Sequence, residues 1–284
     1  DLPNLRRYQP NSEDNNRARA SQKWSSCMKN KHVALVTGSS RGIGLGIACE
    51  LAARGFAIAL NAPSLDDELL KAVELLKGEG ADVFAAPFDV CEIERHSEVL
   101  NAIEANLGPL TTLVNNAGVG VIHRGDPLAV TSESFDRCMS VNARAVFFLS
   151  QAFSKMLLSQ ERDHKNFYSL INITSSNAVA VAVPRSEYCA SKAAASMITK
   201  TFAVRLGAEN IHVYDVQPGL IDTEMTAPVI KQYEERAKAG LTVLPRIGTP
   251  GDMGKIVSAL ASGDLPYTTG QVISADAGLL ISRY

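Results

Sequence analysis

From Lys31 onward the chain alternates short apolar runs with longer stretches of helical period, and this alternation constrains the fold more than any other feature. The runs that read as buried strands are Val33 to Val36, Phe56 to Asn61, Val83 to Phe88, Leu110 to Asn115, Ser169 to Thr174, Ile211 to Gln217 and Gln271 to Ser274. Helical periodicity fills the intervals over Ile43 to Arg54, Leu65 to Lys77, Ile93 to Leu107, Ser132 to Ser159, Tyr188 to Leu206 and Pro250 to Ser262. Gly78 and Gly80 end the second of these helices. Strands that alternate with helices join as parallel neighbours, because a parallel pair needs a crossover long enough to hold a helix.

Right-handed crossovers then give an α/β fold of one domain: a Rossmann-like, doubly wound, parallel seven-stranded sheet with helices on both faces. No internal repeat and no linker divides the stretch 31–284. The 284 residues exceed one average domain, but an α/β unit can run to about 250 residues undivided. Residues 1–30 differ in kind: they are polar, rich in Asn, Ser, Arg and Gln, with Leu2, Leu5, Tyr8 and Trp24 at no period. They read as a flexible N-terminal tail. A transit segment is opposed by Glu13 and Asp14, and a start at Met28 stays open.

Composition narrows the function classes. With 28 Lys+Arg against 30 Asp+Glu, the net charge is −2, which gives no electrostatic footprint for nucleic acid. Apolar runs such as Ala178 to Val183 are far too short to span a membrane. The 5 cysteines (Cys27, Cys49, Cys91, Cys138, Cys189) are scattered and odd in number, which favours free thiols in a reducing, cytoplasmic setting. The 5 histidines show no metal-ligand spacing, so no metal is expected.

Chemistry concentrates in two places. Thr37-Gly38-Ser39-Ser40-Arg41-Gly42-Ile43-Gly44 lies between the first strand and first helix. Glycines there allow a tight turn and a close backbone approach to a pyrophosphate, which the helix N-terminus receives with free amides and a positive dipole end. The second strand ends Leu60-Asn61-Ala62-Pro63, without the carboxylate that grips a ribose 2′-hydroxyl, and Arg41 is placed to meet a 2′-phosphate. NADP(H) is therefore favoured, with NAD(H) open.

The second place is Ser175 together with Tyr188 and Lys192. Tyr188 and Lys192 stand at i and i+4 on one helix face. An isolated phenol titrates near 10, and an adjacent ammonium together with an oxidised nicotinamide is expected to lower that value. Ser175 ends a strand at the carboxyl edge, where doubly wound sheets bind ligands, and can hydrogen-bond a substrate oxygen.

With these elements in order, the chain resembles the short-chain dehydrogenase/reductase family from about Lys31 to its end. The family's TGxxxGIG turn is matched at Gly38, Ser40, Arg41, Gly42, Ile43 and Gly44, its NNAG element at Asn115, Asn116, Ala117 and Gly118, and its YxxxK at Tyr188 and Lys192. Asp89-Val90 matches an adenine contact, and Pro218-Gly219 with Ile221 and Thr223 matches the nicotinamide-amide segment. Asn142 matches the family's active-site Asn, and Ser175 the Ser of its strand-end run, chosen over Ser176 by its spacing to Tyr188. The resemblance implies a catalytic set of Asn142, Ser175, Tyr188 and Lys192. Tyr188 would be general acid in reduction, Lys192 would lower its pKa and hold the ribose, Ser175 would polarise the carbonyl, and Asn142 would position a relay water.

Within the family the chain most resembles 3-oxoacyl-[acyl-carrier-protein] reductases, which implies a small-molecule carbonyl or alcohol substrate that carrier linkage could deliver. A polyol or sugar dehydrogenase and a non-catalytic dinucleotide sensor are the alternatives; an epimerase or dehydratase is disfavoured by the turn spacing. Leu220 to Arg246 reads as a substrate lid, and Val179 to Val183 as a small apolar wall. Arg124 and Arg185 flank the expected mouth, as contacts for an acidic substrate or a phosphopantetheine carrier, or as solvated surface. Cys189 reads as a small packing residue. Small residues Ala193 to Ser196 suit close helix packing between subunits, and the resemblance implies a homotetramer.

Overall fold

The structure, a computed structural model, describes residues 32–224 and 226–283; the expectations for residues 1–30 lie outside them. Strands β1 (Val33–Val36), β2 (Ala57–Leu60), β3 (Val83–Ala85), β4 (Leu110–Asn115), β5 (Tyr168–Ile173), β6 (Ile211–Pro218) and β7 (Val272–Ala275) form a 7-stranded sheet. The order is β3-β2-β1-β4-β5-β6-β7, and every neighbouring pair is parallel. The chain builds outward from β1 to one edge, returns to β4, and builds to the other. The carboxyl ends of β1 and β4 therefore flank the point where the winding reverses, the position at which such sheets open a crevice.

Alternation along each strand decides which helices cover which face. Leu35, Ala59, Leu113, Leu170 and Val213 point to one side, where they meet α3 (His96–Leu107), α5 (Val146–Ser159) and α6 (Ser186–Leu206) through Ile103, Phe153 and Leu206. Val36, Leu60, Val114, Ile171 and Val216 point to the other, against α1 (Gly42–Ala53), α2 (Asp67–Gly78) and α8 (Pro250–Ala261) through Leu51, Leu76 and Val257. A strand covered on both sides must be apolar throughout, which is why β1 is Val-Ala-Leu-Val and wholly buried. Each large aliphatic side chain so buried contributes roughly 1.5–3 kcal/mol of transfer free energy.

One expected element is broken. The stretch read as a single helix from Ser132 to Ser159 is α4 (Ser132–Met139), a widened π turn over Ser140–Ala145, and then α5. The widening falls on Asn142, whose side chain is fully buried and engaged from two directions. Such π turns inside helices mark places where a side chain is re-aimed at the expense of regular pairing. Beyond β6 the excursion over Leu220 to Arg246 contains α7 (Ile230–Arg236) and an irregular turn with Gly240.

Candidate active site

The glycine turn is held from below by side chains. Thr37 Oγ1 accepts from the amides of Asn116 (2.9 Å) and Ala117 (3.0 Å), while Asn116 Nδ2 donates to the carbonyls of Thr37 and Gly38, both at 2.9 Å. Asn61 accepts the Gly38 amide at 3.0 Å and donates to the Phe88 carbonyl at 2.9 Å, which ties the turn to the segment leading into Asp89. Gly38 has φ +59°, and a Cβ there would lie 2.9 Å from Ala117 Cα. A Cβ on Gly44 would come within 2.2 Å of the Gly38 carbonyl oxygen, so only glycine closes this turn onto α1.

The N-terminus of α1 has no side-chain cap and no acidic residue in its first turn. Asp66, Thr131 and Thr249 cap α2, α4 and α8, while α3 and α6 share with α1 the lack of a side-chain cap. The amides and positive dipole end of α1 are thus left to an outside anion, which fits the pyrophosphate of a dinucleotide. Ser40 and Ile43 line the turn half-buried, Val90 is buried, and Asp89 is exposed with its carboxylate on the Cys91 amide at 2.9 Å. Arg41 is exposed, and its Nη1 donates to Glu224 Oε2 (2.8 Å) and Glu68 Oε1 (3.1 Å). This double pairing was not legible in the motif.

The second half of the site forms where β5 ends and α6 begins. Lys192 is buried, and its Nζ donates to the Ile173 carbonyl at 2.9 Å. Tyr188, half-buried one turn earlier, has Lys192 Nζ 5.8 Å from its ring centroid. Burial pushes the Tyr188 phenol above its ordinary value, and the Ser175 hydroxyl and then Arg185 pull it back in part. Withdrawal from water disfavours the phenolate, and this acts against the lowering that an ammonium and an oxidised nicotinamide are expected to give. Burial also lowers Lys192 to about 8, against the pull of Asp215. Ser175 caps the turn that follows β5, its Oγ accepting from the Asn177 amide at 3.1 Å.

Asn142 Oδ1 accepts from the Val119 amide (2.9 Å), and its Nδ2 donates to the Val119 carbonyl and to Ser191 Oγ, both at 3.0 Å. Gly118 passes between the two halves: a Cβ there would lie 3.3 Å from Asn142 Oδ1 and 3.5 Å from Lys192 Nζ. Pro218 ends β6, and the Gly219 amide donates to Ala275 at 3.0 Å. Ile221 is buried and bridges to Gly248, and the Thr223 amide donates to Thr226 Oγ1 at 3.0 Å. Thr223 lies against the glycine turn, where a Cβ on Gly42 would stand 3.8 Å from its Cγ2, and its neighbour Glu224 pairs with Arg41.

Two residues escaped the sequence reading. Asp215, buried in β6, accepts from Thr174 Oγ1 and from Gln217 Nε2 (3.0 Å); an acid in an apolar strand was the available signal. Buried Glu187, beside Tyr188, accepts from Ser134 Oγ at 2.6 Å. The wall Val179, Val181 and Val183 is exposed, at 69%, 81% and 56%. Cys189 is half-buried, its thiol 3.8 Å from the Ala182 carbonyl.

Residues 32–234 match the short chain dehydrogenase family. Versicolorin reductase 1 of Dothistroma septosporum is 32% identical over 259 residues, covering 87% of this chain and 95% of that protein. A crystal structure of 3-oxoacyl-[acyl-carrier protein] reductase from Brucella melitensis in complex with NAD is 38% identical, with a TM-score of 0.86 over 90% of this chain and 100% of the other. Blue fluorescent protein from a metagenomic library, in complex with NADPH, is 33% identical with a TM-score of 0.79 over 88% and 98%. The sheet order, the glycine turn with its uncapped helix, and the family match over most of the chain agree: this protein belongs to the short-chain dehydrogenase family and is an oxidoreductase.

Proposed function

We propose that the chain reduces a ketone to a secondary alcohol with NADPH, on a substrate of the 3-oxoacyl kind. The observation that carries this reading is the Tyr188 ring at the start of α6, with Lys192 Nζ 5.8 Å from its centroid and held on the Ile173 carbonyl at the end of β5. A phenol so placed is protonated at neutral pH, the form needed to donate to a carbonyl oxygen. When bound, the nicotinamide supplies the hydride.

Each further role rests on a position already described. Ser175 holds the carbonyl oxygen next to Tyr188. The Lys192 ammonium stands behind the phenol and offers a proton and a charge to the ribose hydroxyls. Asn142 and Lys192 flank Gly118 closely enough for one water to connect them, which gives Tyr188 a route for reprotonation. Gly38 to Gly44 and Asn116 to Gly118 hold the dinucleotide, Asp89 and Val90 its adenine end, and Pro218 to Thr223 its nicotinamide amide. Arg41 takes the 2′-phosphate in exchange for Glu68 and Glu224. Residues 220–246 close over the substrate, and four copies assemble through α4, α5 and α6.

Mixing the protein with NADPH or NADH and a panel of β-keto esters and diketones tests the reading. Oxidation of NADPH by a β-keto ester supports it. Binding of cofactor with no turnover of any carbonyl overturns it in favour of a dinucleotide sensor, and turnover of polyols alone points to a dehydrogenase.

A further inference from the structure

Two arginines on the segments that lead to the start of α6 have no assigned role in the reaction just described. Arg185 stands before α6, and its guanidinium carbon lies 5.6 Å from the centroid of the Tyr188 ring. It is half-buried, and the ion pairs among the described residues involve neither it nor Arg124. Asp126, the acid nearest to Arg124 in sequence, has Oδ1 committed to the Leu128 amide at 2.9 Å.

Arg124 lies on an exposed segment whose backbone is nevertheless fastened at several points. Asn142 holds both the amide and the carbonyl of Val119. The Ile122 amide donates to Ser134 Oγ at 3.2 Å, and that hydroxyl donates in turn to the buried Glu187 carboxylate. The Gly125 amide donates to the Pro184 carbonyl at 3.2 Å, so Arg124 and Arg185 sit on backbone segments bonded to each other. Exposed loops ordinarily leave such groups to water. Here the fastening runs into the start of the helix that carries Tyr188: Arg185, with no ion pair among the described residues, stands over that ring, and Arg124 lies on the segment bonded to its own.

We propose that Arg185, assisted by Arg124, is a specificity-determining subsite for an anionic group, and that the substrate is a short oxo acid. This rests on the oxidoreductase reading above and adds the substrate class to it. A guanidinium over the ring of the proton donor can grip a carboxylate through charge-assisted, bidentate hydrogen bonds. With contacts of about 2.8 Å at each end, that carboxylate lies roughly two to four bonds from the reacting carbonyl. A carrier's phosphate, at the end of its long arm, is too remote for Arg185.

The test compares acetoacetate, ethyl acetoacetate and acetoacetyl-CoA as substrates for the whole protein with its preferred dinucleotide. The expected result is a kcat/KM for acetoacetate about tenfold or more above the ester, with that ratio collapsing about tenfold in Arg185→Gln and less in Arg124→Gln. Acid and ester falling together in Arg185→Gln would show that the arginine acts only on Tyr188, and the proposal fails. Preference for acetoacetyl-CoA over both, lost in Arg124→Gln alone, also overturns it, by placing the anion on a carrier arm. Calorimetric titration of the cofactor-loaded protein with 3-hydroxybutyrate and its ethyl ester separates this proposal from the broader one. Tighter binding of the acid, lost in Arg185→Gln, supports the subsite even where no ketone is turned over; equal binding refutes it even where the ester is reduced.

Discussion

Lys192 Nζ donates to the carbonyl of Ile173 at 2.9 Å, which fixes the ammonium at the end of β5, in the sheet rather than in solvent. This position has a thermodynamic consequence. Burial lowers the lysine from 10.5 to about 8, a shift worth about 3 kcal/mol. Between those two values the unfolded chain binds the extra proton, so this group makes stability rise with pH from about 8 towards 10.5. At pH 7 the full cost of the buried charge is present. Lys192→Met is therefore expected to stabilise the fold at pH 7 by about 2 kcal/mol, after about 1 kcal/mol for the carbonyl left without its donor. The gain should shrink by pH 10 while turnover is lost. Urea unfolding at both pH values measures it, and a variant less stable than the parent at pH 7 contradicts the argument.

Tyr188 titrates in the opposite sense. Its phenol is held above 10 by burial, so the protonated form persists throughout the neutral range. Ketone reduction should be flat from about pH 6 to 7 and fall as Lys192, at about 8, loses its proton, whereas alcohol oxidation, which needs the phenolate, should climb with pH. Tyr188→Phe should lower kcat by at least about 100-fold in both directions, with a much smaller loss of cofactor affinity. A Phe variant as fast as the parent would remove Tyr188 from the reaction.

Most of this site was legible because its parts are local. The glycine turn, the Tyr188–Lys192 pair and Ser175 follow from spacing and from strand ends, which apolar runs such as Val33 to Val36 announce plainly. The missed features are set by partners distant in sequence. A period of 3.6 runs straight through Ser140–Ala145, and what widens the helix there is the pull of Val119 and Ser191 on Asn142. Arg41 looked like an open cation until Glu68 and Glu224 arrived from the second helix and the lid. The burial that raises the Tyr188 phenol was not legible because a motif shows neighbouring charges but not the water that burial removes.

Those carboxylates on Arg41 permit a sharper test of cofactor choice. Both pairs are exposed, with Arg41 at 59% and Glu224 at 69% side-chain exposure, so each is worth at most about 1 kcal/mol and yields to a phosphate. Arg41→Ala should reduce the preference for NADPH over NADH about tenfold. Glu224→Gln should raise NADPH affinity about two- to threefold by removing the competing charge. Fluorescence titration with both cofactors reads each ratio, and an Arg41→Ala protein with unchanged preference would dismiss the arginine as the selector.

The outer face of α6 makes a prediction about assembly. Ala193, Met197, Thr201 and Val204 are exposed at helical spacing, with Met197 at 61% and Val204 at 87%, while Ala195, Thr199, Phe202 and Leu206 bury the opposite side against the sheet. A stripe of small and apolar side chains lets a second helix approach closely, and covering it removes apolar area at about 25 cal/mol per Å². The proposed homotetramer should sediment at about four times 30.4 kDa. Val204→Glu leaves the buried face untouched, so it should preserve the monomer fold yet drive the assembly to smaller species, because a carboxylate in a dry interface goes uncompensated. Sedimentation of parent and variant at micromolar concentration decides the matter: a monomeric parent, or a Val204→Glu protein of unaltered mass, shows that α6 is a solvent face.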